Sequence, residues 1–388
     1  MLLAGFGGPE APDDVMPFLR NVTRGRGVPD ERLAEVSEHY RALGGASPIN
    51  AQNRALREHL ESALRSRGVD LPVLWGNRNW SPYLSDALRE ARAAGRRSLL
   101  AVATSAYSSY SSCRQYREDF AAALIETDLL GVLRIDKVRP YYDHPGFLGP
   151  FAEGLATACG EATGAGLRPD QVRVVFTTHS VPLSMADASG TDSDGRLYVE
   201  QHLAACAEVA RLAGLIGAAA VGDVTSDAGL GWQLAYQSRS GSPHIPWLEP
   251  DVGDVISGAA ASGARGVIVV PIGFISDHVE VIWDLDTEAA AVAAEHDLWF
   301  RRVPTPGVHP DFIAALAELV LERLTGPADR IGSATELPAR PDCCPAGCCR
   351  PRAIRPTTAG ADSAADWRDV DVDPALLAAS GIAGKAGA

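Results

Sequence analysis

Two ionisable side chains follow apolar stretches of sequence that are typical of buried β-strands. His179 comes after the predicted strand Val172–Thr177, and Glu280 comes shortly after the predicted strand Gly266–Ile272. Histidine accepts protons near neutral pH and binds metals, and carboxylates are oxygen ligands for divalent cations. Because parallel sheets bind ligands at the carboxyl ends of their strands, we expect both side chains at one site. The alternative for His179 is a structural histidine that caps a loop.

Glu280 begins a row of carboxylates with a four-residue spacing. Asp284 and Glu288 follow it within the predicted helix Val279–Glu295, which places all three side chains on one helical face. Such a row is able to pass cations or protons between solvent and a site. An ordinary solvated helix face is the alternative, and the sequence leaves it open for Asp284 and Glu288.

A further set of polar groups surrounds a pair of glycines. Tyr40 precedes Gly44 and Gly45, and Ser47 follows them where a new helix is expected to begin. A hydroxyl and free backbone N–H groups at a helix start favour a carboxylate or a phosphate. A plain helix cap is the alternative. Arg24 lies upstream and adds positive charge.

The segment Ala106–Tyr116 combines hydroxyl groups, tyrosine rings and an arginine, and it follows the predicted strand Ser98–Thr104. This composition suits a flat aromatic ligand with polar edges, with Tyr116 among its contacts. The alternative is a serine-rich loop whose rings pack on the surface. The sequence contains neither a Gly-x4-Gly-Lys-Ser/Thr loop nor a dinucleotide fingerprint, so we expect a reaction that does not use ATP.

The elements that must position these groups alternate between strand and helix. Strands separated by helices imply parallel sheets with helices on both faces, and we expect an α/β fold. The other predicted strands are Leu2–Phe6, Leu71–Gly76, Val132–Val138, Ala219–Val224 and Tyr236–Gln237. The other predicted helices are Glu31–Leu43, Ala51–Arg67, Tyr83–Ala94, Arg114–Thr127, Gly146–Gly160, Leu197–Ala213, Gly253–Ala261 and Pro310–Leu324.

The composition changes twice along the chain. A stretch near residues 160–170 is rich in Gly, Ala and Pro, which predicts one lobe over residues 1–160 and a second over residues 161–325. Apolar periodicity stops after residue 325. We therefore expect residues 326–388 to form a partly disordered tail, with one short helix near Pro374–Ser380.

The overall charge restricts the class of partner. The 388 residues include 35 basic and 49 acidic side chains, a formal net charge of −14, which argues against nucleic acid as the main partner. No apolar run approaches the roughly 18 residues of a membrane span, and the first residues lack the basic region of a signal peptide. We expect a cytoplasmic protein whose anionic ligands are bound by a few placed arginines.

The seven cysteines are unevenly distributed. Three are scattered, and four crowd into the short segment Cys343-Cys344-Pro345-Ala346-Gly347-Cys348-Cys349. In a reducing compartment, a tight group of this kind favours metal binding over disulfides.

Five motifs in this order resemble the ferrochelatase family: LLAGFGGPE, YRALGGASPIN, FTTHSVP, YQSRSG with PWLEP, and VPIGFISDHVEVIWDLDTE. The resemblance covers residues 1 to about 325 and implies two Rossmann-like lobes with parallel four-stranded sheets and a porphyrin cleft between them. It also implies insertion of Fe²⁺ into a porphyrin without an energy-supplying cosubstrate. Metal insertion requires bending the ring, removing two pyrrole protons and desolvating the iron.

The resemblance assigns roles to the residues already singled out. His179 matches the family histidine and Glu280 its carboxylate partner, with the two expected on opposite sides of the ring. Asp284 and Glu288 match an acidic row that delivers metal or removes protons. The implied substrate contacts are Arg24, Tyr40, Ser47 and Tyr116. Two positions depart from the family pattern, since Phe6 replaces a tyrosine and His39 replaces an arginine found in some members.

The tail resembles that of ferrochelatases that contain a [2Fe-2S] cluster. The ligands it implies are Cys159, Cys343, Cys348 and Cys349, with Cys344 spare. Four thiolates around two irons form a standard site, and zinc bound by four thiolates is the alternative. The tail, together with the high Ala, Gly and Arg content, resembles actinobacterial members, which implies coproporphyrin III as the porphyrin.

The sequence leaves other functions open. A protoporphyrin IX ferrochelatase that makes protohaem directly, or a cobalt chelatase, would use the same fold. A non-catalytic carrier of porphyrin or haem would need the cleft but not His179 with Glu280. For the main hypothesis the expected partners are coproporphyrin III, ferrous iron and transfer proteins of haem synthesis.

Overall fold

The computed structural model describes residues 1–25, 27–215, 231–240, 244–325, 330–350 and 355–360. Within these residues two parallel four-stranded sheets form, as the sequence predicts. The first contains Leu2–Gly5 (β1), Leu74–Asn77 (β2), Ser98–Ala103 (β3) and Arg134–Lys137 (β4). The second contains Val172–His179 (β5), Trp232–Gln237 (β6), Gly266–Val270 (β7) and Trp299–Arg302 (β8).

Helices connect successive strands and cover the sheets. In chain order the described helices are Val15–Val22 (α1), Asp30–Ala42 (α2), Ile49–Ser66 (α3), Leu84–Ala93 (α4), Gln115–Glu126 (α5), Pro145–Gly164 (α6), Leu183–Asp187 (α7), Leu197–Leu212 (α8), Val252–Ala261 (α9), Val279–Val281 (α10), Ala290–Glu295 (α11) and Pro310–Thr325 (α12). Two segments, Tyr110–Arg114 and Ile282–Ala289, are π-helical, a wider turn that occurs often at functional sites.

The strand order decides where each sheet binds a ligand. The first sheet has the order β2-β1-β3-β4 and the second has the order β6-β5-β7-β8. In each sheet the strand that comes first in the sequence has neighbours on both sides, so the connections to them run in opposite directions. Such sheets bind ligands in the crevice between these connections, at the switch point. In the second sheet this switch point lies between β5 and β7. His179 and Glu280 therefore come from the two strands that border the crevice.

The two lobes share one apolar core. Helices α6 and α12 pack on each other, α12 also contacts α3, and α6 also contacts α8. Phe147 and Phe312, both fully buried, lie in the same cluster as Leu3 of the first sheet and Val174 of the second. This continuous burial fixes the lobes relative to each other and so defines the gap between their strand ends.

Most predicted elements form with shifted ends, and several differ. Strand β8 and helices α1 and α7 were not predicted. The predicted strand Ala219–Val224 and the predicted helix near Pro374–Ser380 lie outside the described residues. The predicted helix Val279–Glu295 is α-helical only at its ends, because its centre makes π-helical turns. No helix in the described part of the chain is long and apolar enough to span a bilayer.

The described part of the tail packs against both lobes. Near its start, Ile331 donates its backbone N–H to Glu322 on α12 at 3.1 Å. Farther along, Arg340 forms two hydrogen bonds of 3.1 Å to Asp194 in the second lobe. Arg117 of the first lobe donates to the carbonyl of Thr358 at 2.8 Å. These residues are ordered by specific polar contacts rather than by a regular element.

Candidate active site

The end of β5 presents the imidazole of His179 to the gap between the lobes. Nδ1 lies 2.5 Å from the carbonyl oxygen of Ser180, a geometry in which Nδ1–H donates. Nε2 then carries the lone pair and faces Glu280, whose Oε2 is 3.8 Å away. The side chains are 34% and 50% exposed, so both are accessible to a ligand. The predicted convergence of these two groups is confirmed.

The distance between the two groups bears on the expectation that they lie on opposite sides of a ring. A flat ring between them would need a contact of roughly 3.5–4.0 Å to each, or about 7 Å in total. The observed 3.8 Å between His179 Nε2 and Glu280 Oε2 is about half of that. The expectation of opposite sides stays a prediction, and the observed spacing favours action from one side. The pair faces the gap as one unit.

The carboxylates that follow Glu280 lie in the π-helical segment. Asp284 accepts hydrogen bonds from Ser238 and from Gln237 Nε2, the latter at 3.2 Å. Burial raises the pKa of Asp284 to about 7, and the charges of Glu280 and Glu288 contribute in the same direction, although the bond from Ser238 opposes them. Glu288 is exposed and accepts a hydrogen bond from Trp283 at 2.8 Å. A carboxyl that titrates near neutral pH thus lies between the pair and solvent.

Tyr40 and His278 complete the surroundings of the pair. Burial raises the pKa of Tyr40, and the negative charge of Glu280 adds to this, which places the phenol on α2 close to that carboxylate. Burial also lowers the pKa of His278, while Glu280 raises it and His179 lowers it. Sequence analysis did not select His278, although it stands two residues before Glu280. The sequence feature that could have identified His278 is the group of ionisable residues that directly follows β7.

The first lobe contributes an aromatic wall. The guanidinium of Arg78 lies 4.7 Å from the ring centre of Tyr116 and 5.9 Å from that of Phe6. Arg78 is also paired with Asp119 on α5. Tyr116 is 4% exposed, and its hydroxyl lies 3.4 Å from Thr104. The sequence predicted Tyr116 here but did not identify Arg78, because its partner lies 41 residues farther along the chain.

Ser47 lies just before α3, and Arg24 lies just after α1. Ser47 is 8% exposed, its backbone N–H donates to Pro9 at 2.8 Å, and its hydroxyl is 3.5 Å from the N–H of Ile49. Its backbone therefore holds the loop that follows β1, and the cap position of α3 is taken by the next residue, Pro48. Arg24 is exposed in the turn between α1 and α2. A stacked pair, His39 and Trp283, with ring centres 4.2 Å apart, joins α2 to the π-helical segment.

Four buried cysteines meet where the tail crosses the two lobes. Cys113, Cys344, Cys348 and Cys349 form one cluster. Sγ of Cys113 lies 3.8 Å from that of Cys344, and Sγ of Cys348 lies 3.8 Å from that of Cys349. Two thiolates on one tetrahedral metal lie about 3.8 Å apart, since a metal–sulfur bond is about 2.3 Å long. Both sulfur pairs therefore have the spacing that such a metal requires.

Two of the predicted cysteine ligands lie outside this cluster. Cys159 is on α6, half-buried beside Leu167 and Val172, and the cluster contains Cys113 instead of Cys159. Cys344 takes the place predicted for Cys343. Cys344 forms a parallel bridge with Gly360. Cys343 lies in a bend just before it, is half-buried, and its thiol is 3.8 Å from the carbonyl oxygen of Cys344.

Positive side chains surround the thiols. Burial disfavours the charge on Lys137, but the sulfurs of Cys344 and Cys113 outweigh this and raise the pKa of Lys137. Hydrogen bonds from Cys113 and Cys348 lower the pKa of Cys344. Across the described residues, no group of three or more His, Cys, Asp or Glu side chains is arranged to hold a metal ion. The four thiols are instead neighbours in a row, because Cys344 contacts both Cys113 and Cys348, and Cys348 also contacts Cys349.

The fold is an α/β fold of two parallel sheets, and the accessible imidazole and carboxylate at the switch point of the second sheet form its candidate active site. The chain matches the family model for ferrochelatase over residues 1–324. It is 53% identical over 369 residues to the coproporphyrin III ferrochelatase of Leifsonia xyli subsp. xyli, with 90% of each chain covered. It is 52% identical to the coproporphyrin III ferrochelatase of Streptomyces coelicolor, covering 94% of this chain and 96% of that one.

The chain therefore belongs to the ferrochelatase family, whose members insert ferrous iron into porphyrins. Among solved structures, SirB from Bacillus subtilis with Fe3+ is similar at a TM-score of 0.44 and 12% identity, covering 83% of this chain and 93% of that chain.

Proposed function

We propose that this protein inserts Fe²⁺ into coproporphyrin III to give coproheme, with His179 and Glu280 acting from the same side of the ring. The single observation that carries this is the 3.8 Å pair at the switch point of the second sheet. The relatives at 53% and 52% identity support coproporphyrin III as the porphyrin. Cytoplasmic location and transfer partners in haem synthesis stay predictions.

The chemistry follows from the protonation states of the pair. A free-base porphyrin must lose two pyrrole protons before iron binds to its nitrogens. With Nδ1–H donating to Ser180, Nε2 of His179 is the free base that accepts such a proton. Glu280 is a ligand for incoming Fe²⁺, because imidazole and carboxylate form a suitable donor set. Asp284 and Glu288 would carry protons or iron between the pair and solvent.

The carboxylate groups of the porphyrin need positive charge or N–H donors. The net charge of −14 is unfavourable for an anion, so local groups must provide the attraction. We assign this role to Arg24 and to the start of α3 at Ser47, where helix N–H groups are available. Tyr40 and Tyr116 would contact the ring.

Replacing His179 tests this function. His179→Ala should lower the rate of iron insertion by about 100-fold or more, because the general base is lost. Coproporphyrin III should still bind to this variant. Anaerobic turnover with Fe²⁺ and porphyrin fluorescence titration measure the two properties. His296→Ala, at an exposed histidine beyond α11, is the matched control and should behave as wild type. Unchanged turnover of His179→Ala would remove His179 from the mechanism.

The four clustered cysteines support a second part of the proposal, a [2Fe-2S] cluster held by Cys113, Cys344, Cys348 and Cys349. Such a cluster needs only two thiolates on each iron, so two sulfur pairs of 3.8 Å suffice without any group of three donors. The nearby positive charge of Lys137 offsets the negative charge of four thiolates. When bound, the cluster would supply a one-electron redox centre and a covalent link between the tail and the first lobe.

Two matched cysteine variants test this ligand set. Cys113→Ser should remove the visible charge-transfer absorption of the purified protein and its bound iron and sulfide. Cys159→Ser should retain all three, because Cys159 lies on α6 away from the cluster. A colourless wild-type protein that contains zinc would contradict the iron–sulfur assignment. Bleaching by Cys159→Ser but not by Cys113→Ser would contradict the ligand set.

A further inference from the structure

We propose that Tyr198 is a positioning residue for His179, and that a loop fixed by the cysteine tail holds Tyr198 in place. The inference rests on the role proposed above for His179. It assigns a task to the tail in iron insertion, because hydrogen bonds and the peptide bond between Ser189 and Gly190 connect Cys349 to the backbone of His179.

The first step of this connection is the phenol of Tyr198. Its hydroxyl donates to the carbonyl oxygen of His179 at 2.8 Å, and Thr178 Oγ1 lies 2.9 Å from the same phenol oxygen. Tyr198 is 5% exposed, and its burial raises the pKa of the phenol, so it remains a donor. Thr178 is in turn 2.9 Å from Nε2 of the buried His202. The last two residues of β5 are thereby held by side chains of α8.

The second step fixes the start of α8. The backbone N–H of Tyr198 donates to Ser189 Oγ at 2.8 Å, and that of Leu197 donates to the Ser189 carbonyl at 3.3 Å. Ser189 is fully buried and donates its own hydroxyl to Ala186 at 2.5 Å. The position of Tyr198 along the axis of α8 therefore depends on the position of Ser189.

The third step ties the adjacent residue to the tail. Gly190 and Cys349 exchange two hydrogen bonds: Cys349 N–H donates to the Gly190 carbonyl at 2.6 Å, and Gly190 N–H donates to Cys349 Sγ at 3.3 Å. Arg340 holds the other end of this loop through Asp194, which also accepts from Thr191 N–H at 2.8 Å. The tail thus holds residues 189–194 in place through its hydrogen bonds to Gly190 and Asp194.

The consequence concerns the direction of the imidazole. His179 ends its strand, and its ring is held by Ser180, so a shift of the His179 carbonyl turns Nε2 relative to Glu280. A displacement of about 1 Å at a reacting group can cost roughly 100-fold in rate. Loss of the Tyr198 hydroxyl should therefore reduce the rate of the chemical step and leave the binding of the porphyrin unchanged.

The test measures kcat and KM of the full-length protein with coproporphyrin III and anaerobic Fe²⁺. Tyr198→Phe should lower kcat by about tenfold or more, with the porphyrin KM and the visible absorption of the tail unchanged. Tyr142→Phe is the matched control, because its hydroxyl also bonds a carbonyl, that of Pro338 at 3.2 Å, away from His179. It should keep the wild-type kcat with a similar change in melting temperature. Should Tyr198→Phe fail to fold, Ser189→Ala removes the next hydrogen bond and should lower kcat in the same way.

The outcomes separate this inference from the proposed function. If Tyr198→Phe keeps the wild-type kcat while His179→Gln is inactive, the positioning role of Tyr198 is overturned and the role of His179 stands. Full activity of His179→Gln would remove the role of His179 and the positioning role with it. The link to the tail is tested by Cys349→Ser alone and combined with Tyr198→Phe. The combined loss of kcat should be smaller than the product of the single losses, and a loss equal to that product would overturn the link.

Discussion

At the scale of single residues, the account depends on which atom of His179 faces the gap. Nδ1–H of His179 donates a hydrogen bond to the carbonyl of Ser180, and Nε2 is left as the base beside Glu280. Without Ser180 as acceptor, either nitrogen could carry the proton, and proton removal would be less directional. Asp284 follows Glu280 along the same segment, and burial raises its pKa to about 7.

The residue scale also shows where sequence reasoning succeeds and where it fails. His179 and Glu280 were predicted from apolar runs that end in ionisable groups, a signal that burial of strands makes dependable. Of the four clustered cysteines, Cys348 and Cys349 were predicted, but spacing alone does not reveal which of Cys343 and Cys344 joins them. Cys113 lies 231 residues before Cys344 in the chain, and only the tertiary path of the tail brings them together.

At the scale of elements, the ends of β5 and β7 must pass each other closely to place the pair. A side chain at Gly273 would meet Cβ of Thr178 at 2.6 Å and its Cα at 2.9 Å. Only glycine lets the chain leave β7 beside Thr178 and then reach Glu280. The short distance between the pair is a direct result of this approach.

Gly273→Ala tests this packing argument. It should lower the free energy of unfolding by about 1–3 kcal/mol, because backbone atoms must move to admit the methyl group. Urea denaturation followed by circular dichroism measures the change. Gly160→Ala is the control, since a Cβ at that exposed helical position meets nothing within 4 Å. It should stabilise the protein by roughly 0.5–1 kcal/mol. Equal effects of the two variants would contradict the close approach.

Most elements were predictable, and the exceptions have physical causes. Apolar runs predicted six of the eight described strands at or near their positions. Only the last two residues of β6 were predicted, and β8, Trp299–Arg302, was missed because it is short and half of its residues are arginines. The π-helical turns of Ile282–Ala289 were not predictable, because a spacing of four fits an α-helix equally well. Bonds from Ser238 and Gln237 to Asp284 are tertiary contacts that accompany this wider turn.

At the scale of the whole molecule, three parts meet at two separate centres. The lobes meet at the gap that holds His179 and Glu280, and the tail joins both lobes at the cysteine cluster. The contacts of Arg340 with Asp194 and of Arg117 with Thr358 make the tail a strap across the lobes. The division into residues 1–160, 161–325 and 326–388 stays a prediction, and helix α6 runs through the first boundary.

The choice of porphyrin is also a property of the whole molecule, because the rims of both lobes must receive the propionate groups. Coproporphyrin III carries four such groups and protoporphyrin IX carries two. Each charge-assisted hydrogen bond that is lost costs about 1.5–3 kcal/mol, which corresponds to at least about tenfold in kcat/KM. A site built for four propionates should therefore discriminate between the two porphyrins.

The most direct measurement offers coproporphyrin III and protoporphyrin IX separately to the full-length protein with anaerobic Fe²⁺ and compares kcat/KM for iron insertion. The account predicts insertion into coproporphyrin III at a value at least about tenfold higher than for protoporphyrin IX. Equal or better use of protoporphyrin IX would contradict the proposed substrate, and insertion into neither porphyrin would contradict the proposed activity.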